Sequence, residues 1–164
     1  MKLAMENPTG AVVYFGNQEV TALLEESRLS PRRRMIQPIQ RTEASPVQRM
    51  LNAFQPGTYV RPHRHPERGA TETLVLLQGR LGVLIFDDRG EVLELYELCR
   101  GDVLDLEPMV WHSMVCLEED TLIGEFKCGP YDASKDKEFA GWAPLEDAGA
   151  EWVRLMEQKF EALK

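Results

Sequence analysis

The pattern of hydrophobic and polar residues changes twice along the chain and divides it into three segments. Residues 1–30 hold one amphipathic stretch, and residues 31–130 hold a succession of short apolar runs. Residues 131–164 are polar at first and end in a second amphipathic stretch. Because the spacing of apolar positions separates helices from strands, the sequence predicts an N-terminal helical segment, a central β domain and a C-terminal extension with a helix.

Two helices are predicted, one in each terminal segment. Apolar residues recur at helical spacing from Val20 to Leu24, so we expect a helix over about residues 18–27 with Asn17 as its N-cap. Near the C-terminus, apolar residues fall on one stripe of a helix over residues 151–163. Such a stripe is typical of a helix that packs on a barrel or on a partner subunit.

The central domain reads as a series of short β segments separated by turn signals. The predicted segments are 47–54, 58–63, 71–78, 81–87, 91–98, 102–106, 111–117 and 121–127. Strands this short and this regularly spaced are typical of an all-β barrel or a double-sheet jelly roll. No long helical pattern interrupts them, which disfavours βαβ units.

The amino-acid composition indicates which classes of partner the protein can bind and in which cellular compartment we expect it. The chain of 164 residues has 27 acidic and 19 basic side chains and a formal net charge of −8, so nothing supplies the broad neutralisation that nucleic acid or an anionic membrane requires. No apolar run approaches the ~20 residues of a membrane helix, and the N-terminus lacks a secretory pattern. Three cysteines without CxxC spacing fit a reducing compartment. We expect a cytoplasmic protein that binds neither nucleic acid nor membrane.

The three histidines of the chain form one pattern with an acidic residue. His63 and His65 alternate along a predicted strand and therefore share a face. A hairpin would bring Glu72 opposite them, and a closed barrel allows His112 to converge from a distant strand. Imidazole is the commonest metal ligand in proteins, and carboxylates accompany it in open catalytic sites. The sequence predicts that these four side chains bind one divalent metal ion.

Two choices at this site stay open in the sequence. Glu67 lies in the same loop as Glu72 and is the alternative carboxylate; we prefer Glu72 because it begins a strand that faces the site. The ligand set admits Fe, Mn, Ni, Co, Cu or Zn. On the parity of His63, Tyr59 and Arg61 would also face the metal if the strand runs unbroken through Pro62. We predict that they are catalytic residues that orient a small polar or anionic metabolite.

These residues resemble the two motifs of the cupin superfamily. The matching positions are Gly57, His63, His65, Glu72 and Gly79 in the first motif, and Gly101, Pro108 and His112 in the second. The interval between His65 and Glu72 is longer than in the first motif. In the second motif the inner glycine is absent, and Cys116 replaces the final asparagine.

A longer similarity links the chain to the WbuC family of cupin fold metalloproteins. The supporting segments are residues 46–53, 57–66, 86–90 and 139–144. The resemblance implies a metal-bearing cupin-type double-stranded β-helix, a jelly-roll barrel, with the N-terminal helix and the C-terminal helical extension added to it. Some members lie among surface-polysaccharide genes, which implies sugar chemistry in polysaccharide biosynthesis.

The leading hypothesis is a metal-dependent enzyme that acts on a small polar or anionic metabolite such as a sugar derivative. Metal polarisation of a carbonyl or hydroxyl, as in isomerases and epimerases, and dioxygen chemistry both stay open. The alternative is a non-catalytic module that uses the metal to bind a small ligand. A third reading is a structural metal in a protein–protein scaffold. Exposed sheet edges favour association, and we expect a homodimer.

Overall fold

The computed structural model describes residues 2–66 and 69–162, and these residues form a mainly β protein with a helix near each end. The elements, in chain order, are α1 (Asn17–Leu29), β1 (Arg34–Pro38), β2 (Val47–Phe54), β3 (His63–Arg64), β4 (Glu72–Gln78), β5 (Leu81–Phe86), β6 (Val92–Leu98), β7 (Val103–Leu106), β8 (Trp111–Cys116), β9 (Thr121–Cys128), β10 (Glu138–Phe139), a 3-10 turn (Glu146–Ala148) and α2 (Ala150–Glu161). Among the described residues, no helix is long and apolar enough to cross a membrane.

The strands form two five-stranded antiparallel sheets. The first sheet has the order β1-β2-β9-β4-β7, and the second has the order β10-β3-β8-β5-β6. Strands that are distant in sequence are therefore neighbours in each sheet, as in a jelly roll. The predicted all-β fold with an N-terminal and a C-terminal helix is confirmed.

The main apolar core belongs to strands of both sheets. Its buried members are Phe54, Leu74, Leu76, Leu81, Val83, Leu98, Met114, Cys116 and Ile123. In β4, Glu72, Leu74 and Leu76 are buried and alternate with more exposed residues, so Glu72 lies on the same face of the strand as the core leucines.

Helix α1 packs on the first sheet and α2 on the second. Leu23 and Leu24 of α1 contact a cluster with Met35 and Leu51. Helix α2 inserts Phe160 so closely that a Cβ at Gly82 would lie 2.6 Å from its ring. This cover explains why β5 is buried along almost its whole length although only one face points into the barrel.

The helix boundaries differ slightly from the prediction. Helix α1 begins at Asn17, so its N-cap is Gly16 and not Asn17. The backbone N–H of Gly16 donates to the Glu19 carboxylate at 2.9 Å, which satisfies the first turn without a capping side chain. The predicted last residue of the second helix, Leu163, lies outside the described residues.

Residues 58–63 were predicted as one strand, but only the last of them belongs to a strand, the two-residue β3. Pro62 has no N–H to donate to a neighbouring strand, which keeps the ladder short. Strand β3 pairs with β8 on one side and with β10 on the other. Because β10 lies within residues 131–164, the C-terminal extension contributes a strand to the second sheet.

Candidate metal centre

Four buried side chains with metal-binding atoms meet between the two sheets. His63 and His112 are cross-strand partners in β3 and β8, and His65 follows β3 directly. Glu72 reaches them from β4 of the other sheet. One donor atom from each residue lies within 4.8 Å of the others, and each residue is at most 4% exposed. The four predicted ligands are thus together, whereas Glu67, the alternative carboxylate, lies outside the described residues.

The orientation of each imidazole is fixed by a backbone carbonyl. Nδ1 of His63 donates to the carbonyl of Arg61, and Nδ1 of His112 donates to that of Val110, both at 2.9 Å. Nδ1 of His65 donates to the carbonyl of Asp136 at 2.6 Å. A carbonyl can only accept, so the proton of each neutral ring is on Nδ1. The Nε2 lone pairs remain available to a cation.

Glu72 completes a cluster of lone pairs that a cation would stabilise. Its Oε2 lies 2.9 Å from Nε2 of His112 and 3.3 Å from Nε2 of His65. Nε2 of His63 is buried without a hydrogen-bond partner among the described residues. Because the ring protons are engaged at Nδ1, these atoms face one another as acceptors, which is unfavourable without a positive charge between them. Three imidazole nitrogens and one carboxylate therefore fit a divalent metal ion.

The pKa values of His63 and Glu72 also favour a metal ion at this site. Burial lowers the pKa of His63 well below its ordinary value, which keeps the ring neutral. Burial by itself would raise the pKa of Glu72, but the pKa is held well below its ordinary value, so the carboxyl is ionised. A neutral imidazole and an ionised carboxylate are the protonation states that metal binding requires.

Arg61 lines a cavity beside this cluster. The cavity has a volume of about 550 Å³, and His63 forms part of its wall. Nη2 of Arg61 donates to the carbonyl of Ala140 at 2.9 Å, and the guanidinium lies 5.2 Å from the ring centroid of Phe139. Arg61 was predicted to point to the same side of the chain as His63, and its place beside His63 in the wall of this cavity agrees with that prediction.

Tyr59 is not brought to the cluster. Its side chain is 5% exposed and lies in the apolar cluster beneath α2, where its ring packs edge-on against Trp152. Its hydroxyl donates to the carbonyl of Pro144 at 2.9 Å. Burial raises the pKa of Tyr59 to about 12, so the hydroxyl stays protonated. Strand parity fails for Tyr59 because residues 58–62 form no strand that fixes the side of each residue, and packing beneath α2 holds the ring in the apolar cluster.

Three charged residues beside the cluster were not predicted from the sequence. Lys127 is the cross-strand partner of Glu72, and its ammonium donates to Asp136 at 2.6 Å. Glu125 is 8% exposed and accepts a hydrogen bond from Asn52 at 2.5 Å. The sequence contains a pattern that could have predicted two of them. Along β9, Glu125 and Lys127 alternate with their neighbours and so share a face with the core residue Ile123. Nothing comparable marks Asp136, which lies in a turn-rich segment.

The comparisons with known proteins bear on the fold and on the family. A family model described as "Domain of unknown function (DUF6016)" matches residues 15–98, just over half of the chain. No curated protein matches the chain.

Solved structures of cupin-fold proteins superpose on the chain. An oxalate oxidase in complex with the substrate analogue glycolate has a TM-score of 0.53 at 18% identity, and the match covers 80% of this chain and 74% of that one. KdgF from Halomonas sp. has a TM-score of 0.48 at 21% identity, with 62% and 82% covered. A variant of oxalate decarboxylase from B. subtilis has a TM-score of 0.48 at 18% identity, with 58% and 24% covered. The likeness to oxalate oxidase shows the cupin fold.

Proposed function

The chain belongs to the family described as a domain of unknown function (DUF6016), and we propose that it is a metal-dependent cupin enzyme acting on a small polar or anionic metabolite. The single observation that carries the proposal is the convergence of His63, His65, Glu72 and His112 within 4.8 Å in the interior between the sheets. We propose that these four residues bind one divalent ion, which we expect to be Fe, Mn, Ni, Co, Cu or Zn.

A metal ion at this position supplies Lewis acidity or redox capacity. The side chains that line the cavity would bind and orient the ligand. Its volume of about 550 Å³ suits a small metabolite. Arg61 is held at the wall by the Ala140 carbonyl and presents a positive charge on the side of His63. We propose that Arg61 orients an anionic part of the ligand; Tyr59 is left out of the proposed site because its hydroxyl is engaged by Pro144.

The substrate class follows from the sequence resemblance and stays a proposal. Similarity to the WbuC family and its link to polysaccharide biosynthesis favours a sugar derivative. Isomerase- or epimerase-like chemistry at a carbonyl or hydroxyl and dioxygen chemistry are both compatible with the donor set. Homodimerisation and a cytoplasmic location also stay predictions, and sedimentation of the purified protein tests the former.

The first test is elemental analysis of protein purified without an affinity tag or chelator. We expect about one transition-metal ion per chain, because the four ligands form a single site. The absence of any such ion, even after incubation with each candidate metal, would remove the basis of the proposal.

The second test is turnover. The metal-loaded protein is screened against sugar phosphates and nucleotide sugars, with and without dioxygen, and each activity is repeated after chelation. An enzyme of this kind loses turnover on chelation and regains it with one metal. Tight binding without product across the panel would instead support the alternative, a metal-assisted binding module.

A further inference from the structure

We infer that the cavity beside the metal centre binds a carboxylate group through Lys137, so that the ligand is a small hydroxy- or oxo-carboxylic acid. The carboxylate would contact the Lys137 ammonium while a neighbouring oxygen faces the metal ligands. This inference rests on the proposed function and narrows its substrate class. It adds a residue that the sequence pattern did not single out.

Lys137 directly precedes β10 and lines the cavity. Phe139 is the cross-strand partner of His63, and their ring centroids are 6.2 Å apart. Glu138 points to the opposite face, where its carboxylate pairs with Arg64 at 2.8 Å. Lys137, two residues before Phe139, returns to the face of His63. Lys137, Phe139 and His63 all line the cavity of about 550 Å³, as alternation requires.

Lys137 differs from the neighbouring Lys127 in having no carboxylate within ion-pair distance among the described residues. The ammonium of Lys127 is neutralised by Asp136 at 2.6 Å. The carboxyl groups of Glu72, Glu125 and Asp136 act on the Lys137 ammonium electrostatically, but none of the hydrogen bonds and ion pairs among the described residues involves it. Part of its side chain reaches solvent, but burial and the charge of Lys127 lower the pKa of its ammonium. An ammonium at the wall of a cavity, with no direct ion pair to a described carboxylate, can donate to an anionic ligand that enters the cavity.

The surrounding charges favour a singly charged group over phosphate. Glu72, Glu125 and Asp136 all lie close enough to influence Lys137 electrostatically, and they would repel a dianion more strongly than a monoanion. Arg61 already donates to the Ala140 carbonyl and packs over Phe139, so it does not present its full fork to a phosphate. A lysine ammonium with three carboxyl groups near it suits a monoanionic carboxylate better than a dianionic phosphate.

The experiment compares three probes that share a polyol chain: gluconate, sorbitol and sorbitol phosphate. Their affinities for the metal-loaded protein are measured by calorimetry, together with the metal content of each sample. Lys137→Met removes the charge and keeps the length of the side chain, and Lys137→Arg keeps the charge. Lys159→Met is the matched control, since it removes the same charge from an exposed position of α2.

We expect gluconate to bind at least tenfold more tightly than sorbitol. Lys137→Met should abolish this difference without loss of metal, Lys137→Arg should keep part of it, and Lys159→Met should leave it unchanged. Equal affinity of the unaltered protein for gluconate and sorbitol, or failure of gluconate to bind, would overturn the inference. So would an undiminished preference for gluconate in Lys137→Met, and tighter binding of sorbitol phosphate would assign the subsite to phosphate instead.

The two proposals fail separately. A protein that retains metal but binds gluconate independently of Lys137 contradicts only the carboxylate subsite. A protein that retains no metal contradicts the proposed function, and Lys137-dependent binding of gluconate can then still be measured on the metal-free chain.

Discussion

His63 and His112 are direct cross-strand partners whose ring centroids lie 4.4 Å apart. Each ring is fixed in the same way, by donation from Nδ1 to the carbonyl two residues earlier in its own segment, Arg61 and Val110. His65 is different, because its ring is held by the carbonyl of Asp136, far along the chain. Two ligands are therefore oriented locally, and the third depends on the packing of the segment that leads into β10.

Substitution of either paired histidine should release the metal and leave the protein folded. In His63→Ala and His112→Ala, the ion loses one of four ligands, whereas burial of the leucine and valine core continues to supply most of the stability. Elemental analysis should show little bound metal, and circular dichroism should show an unchanged fold. Global unfolding of both variants would instead indicate a structural metal.

Arg61→Ala should weaken the binding of gluconate by about tenfold, equivalent to ~1.4 kcal/mol, with the metal content unchanged. The loss arises because the guanidinium beside His63 contributes a positive charge to the cavity. The matched control is Arg64→Ala: this guanidinium pairs with Glu138 and lies over Trp111, 4.3 Å from its ring, on the other face of β3. Equal affinity of the Arg61 variant and the unaltered protein would remove Arg61 from the site.

Glu125 should make the metal-free protein less stable as the pH rises. Burial raises the pKa of this carboxyl from 4.5 to about 7, and the neighbouring Glu72 acts in the same direction. The folded state thus binds the proton more tightly than the unfolded chain, so the free energy of unfolding falls between about pH 4.5 and pH 7.

Glu125→Gln keeps an acceptor for Asn52 and removes this titration. The variant should match the unaltered protein near pH ~4.5 and exceed its stability near pH ~8 by on the order of 1–3 kcal/mol. Urea unfolding of metal-free samples at the two pH values measures the difference, with the exposed Glu119→Gln as the control. A variant with the same pH dependence as the unaltered protein would contradict the assignment.

Gly149→Ala should loosen the attachment of α2. A Cβ at this position would lie 2.1 Å from the ring of Tyr59, a rigid group packed against Trp152, so the helix or the ring must move. Overpacking of this kind costs typically ~1–3 kcal/mol. Gly141→Ala is the control, because nothing lies within 4 Å of its Cβ. Thermal unfolding should separate the two variants, and equal melting temperatures would show that the contact relaxes without cost.

Cys116 should resist alkylation in the folded protein. Burial raises the pKa of its thiol to about 11, and the residue is 2% exposed, whereas Cys99 and Cys128 are exposed. Because the thiolate is the reactive form, iodoacetamide should modify Cys99 and Cys128 first and Cys116 only after unfolding. Mass spectrometry of timed samples reports the order, and simultaneous modification of all three would be inconsistent with it.

The sequence by itself determined the strands and the four residues of the buried histidine and glutamate cluster. Alternation and turn residues act over a few positions, so the bounds of β2 and β4 to β9 were predictable to within about one or two residues. The spacing of His63, His65, Glu72 and His112 was a sufficient signal for their meeting between the sheets, because barrel interiors bring inward-facing residues together.

Only the tertiary structure decided what surrounds those ligands. The pairing of β10 with β3 brings Lys137 and Asp136 to the centre, and no local pattern predicts a pairing between segments so far apart. The surroundings of Tyr59 were likewise not predictable from the sequence. The direction of its side chain depended on whether a strand extends through Pro62, and the packing of α2 placed its ring in the apolar cluster. Propensity and periodicity are local properties, whereas the neighbours of a side chain depend on the register of strands that are distant in sequence.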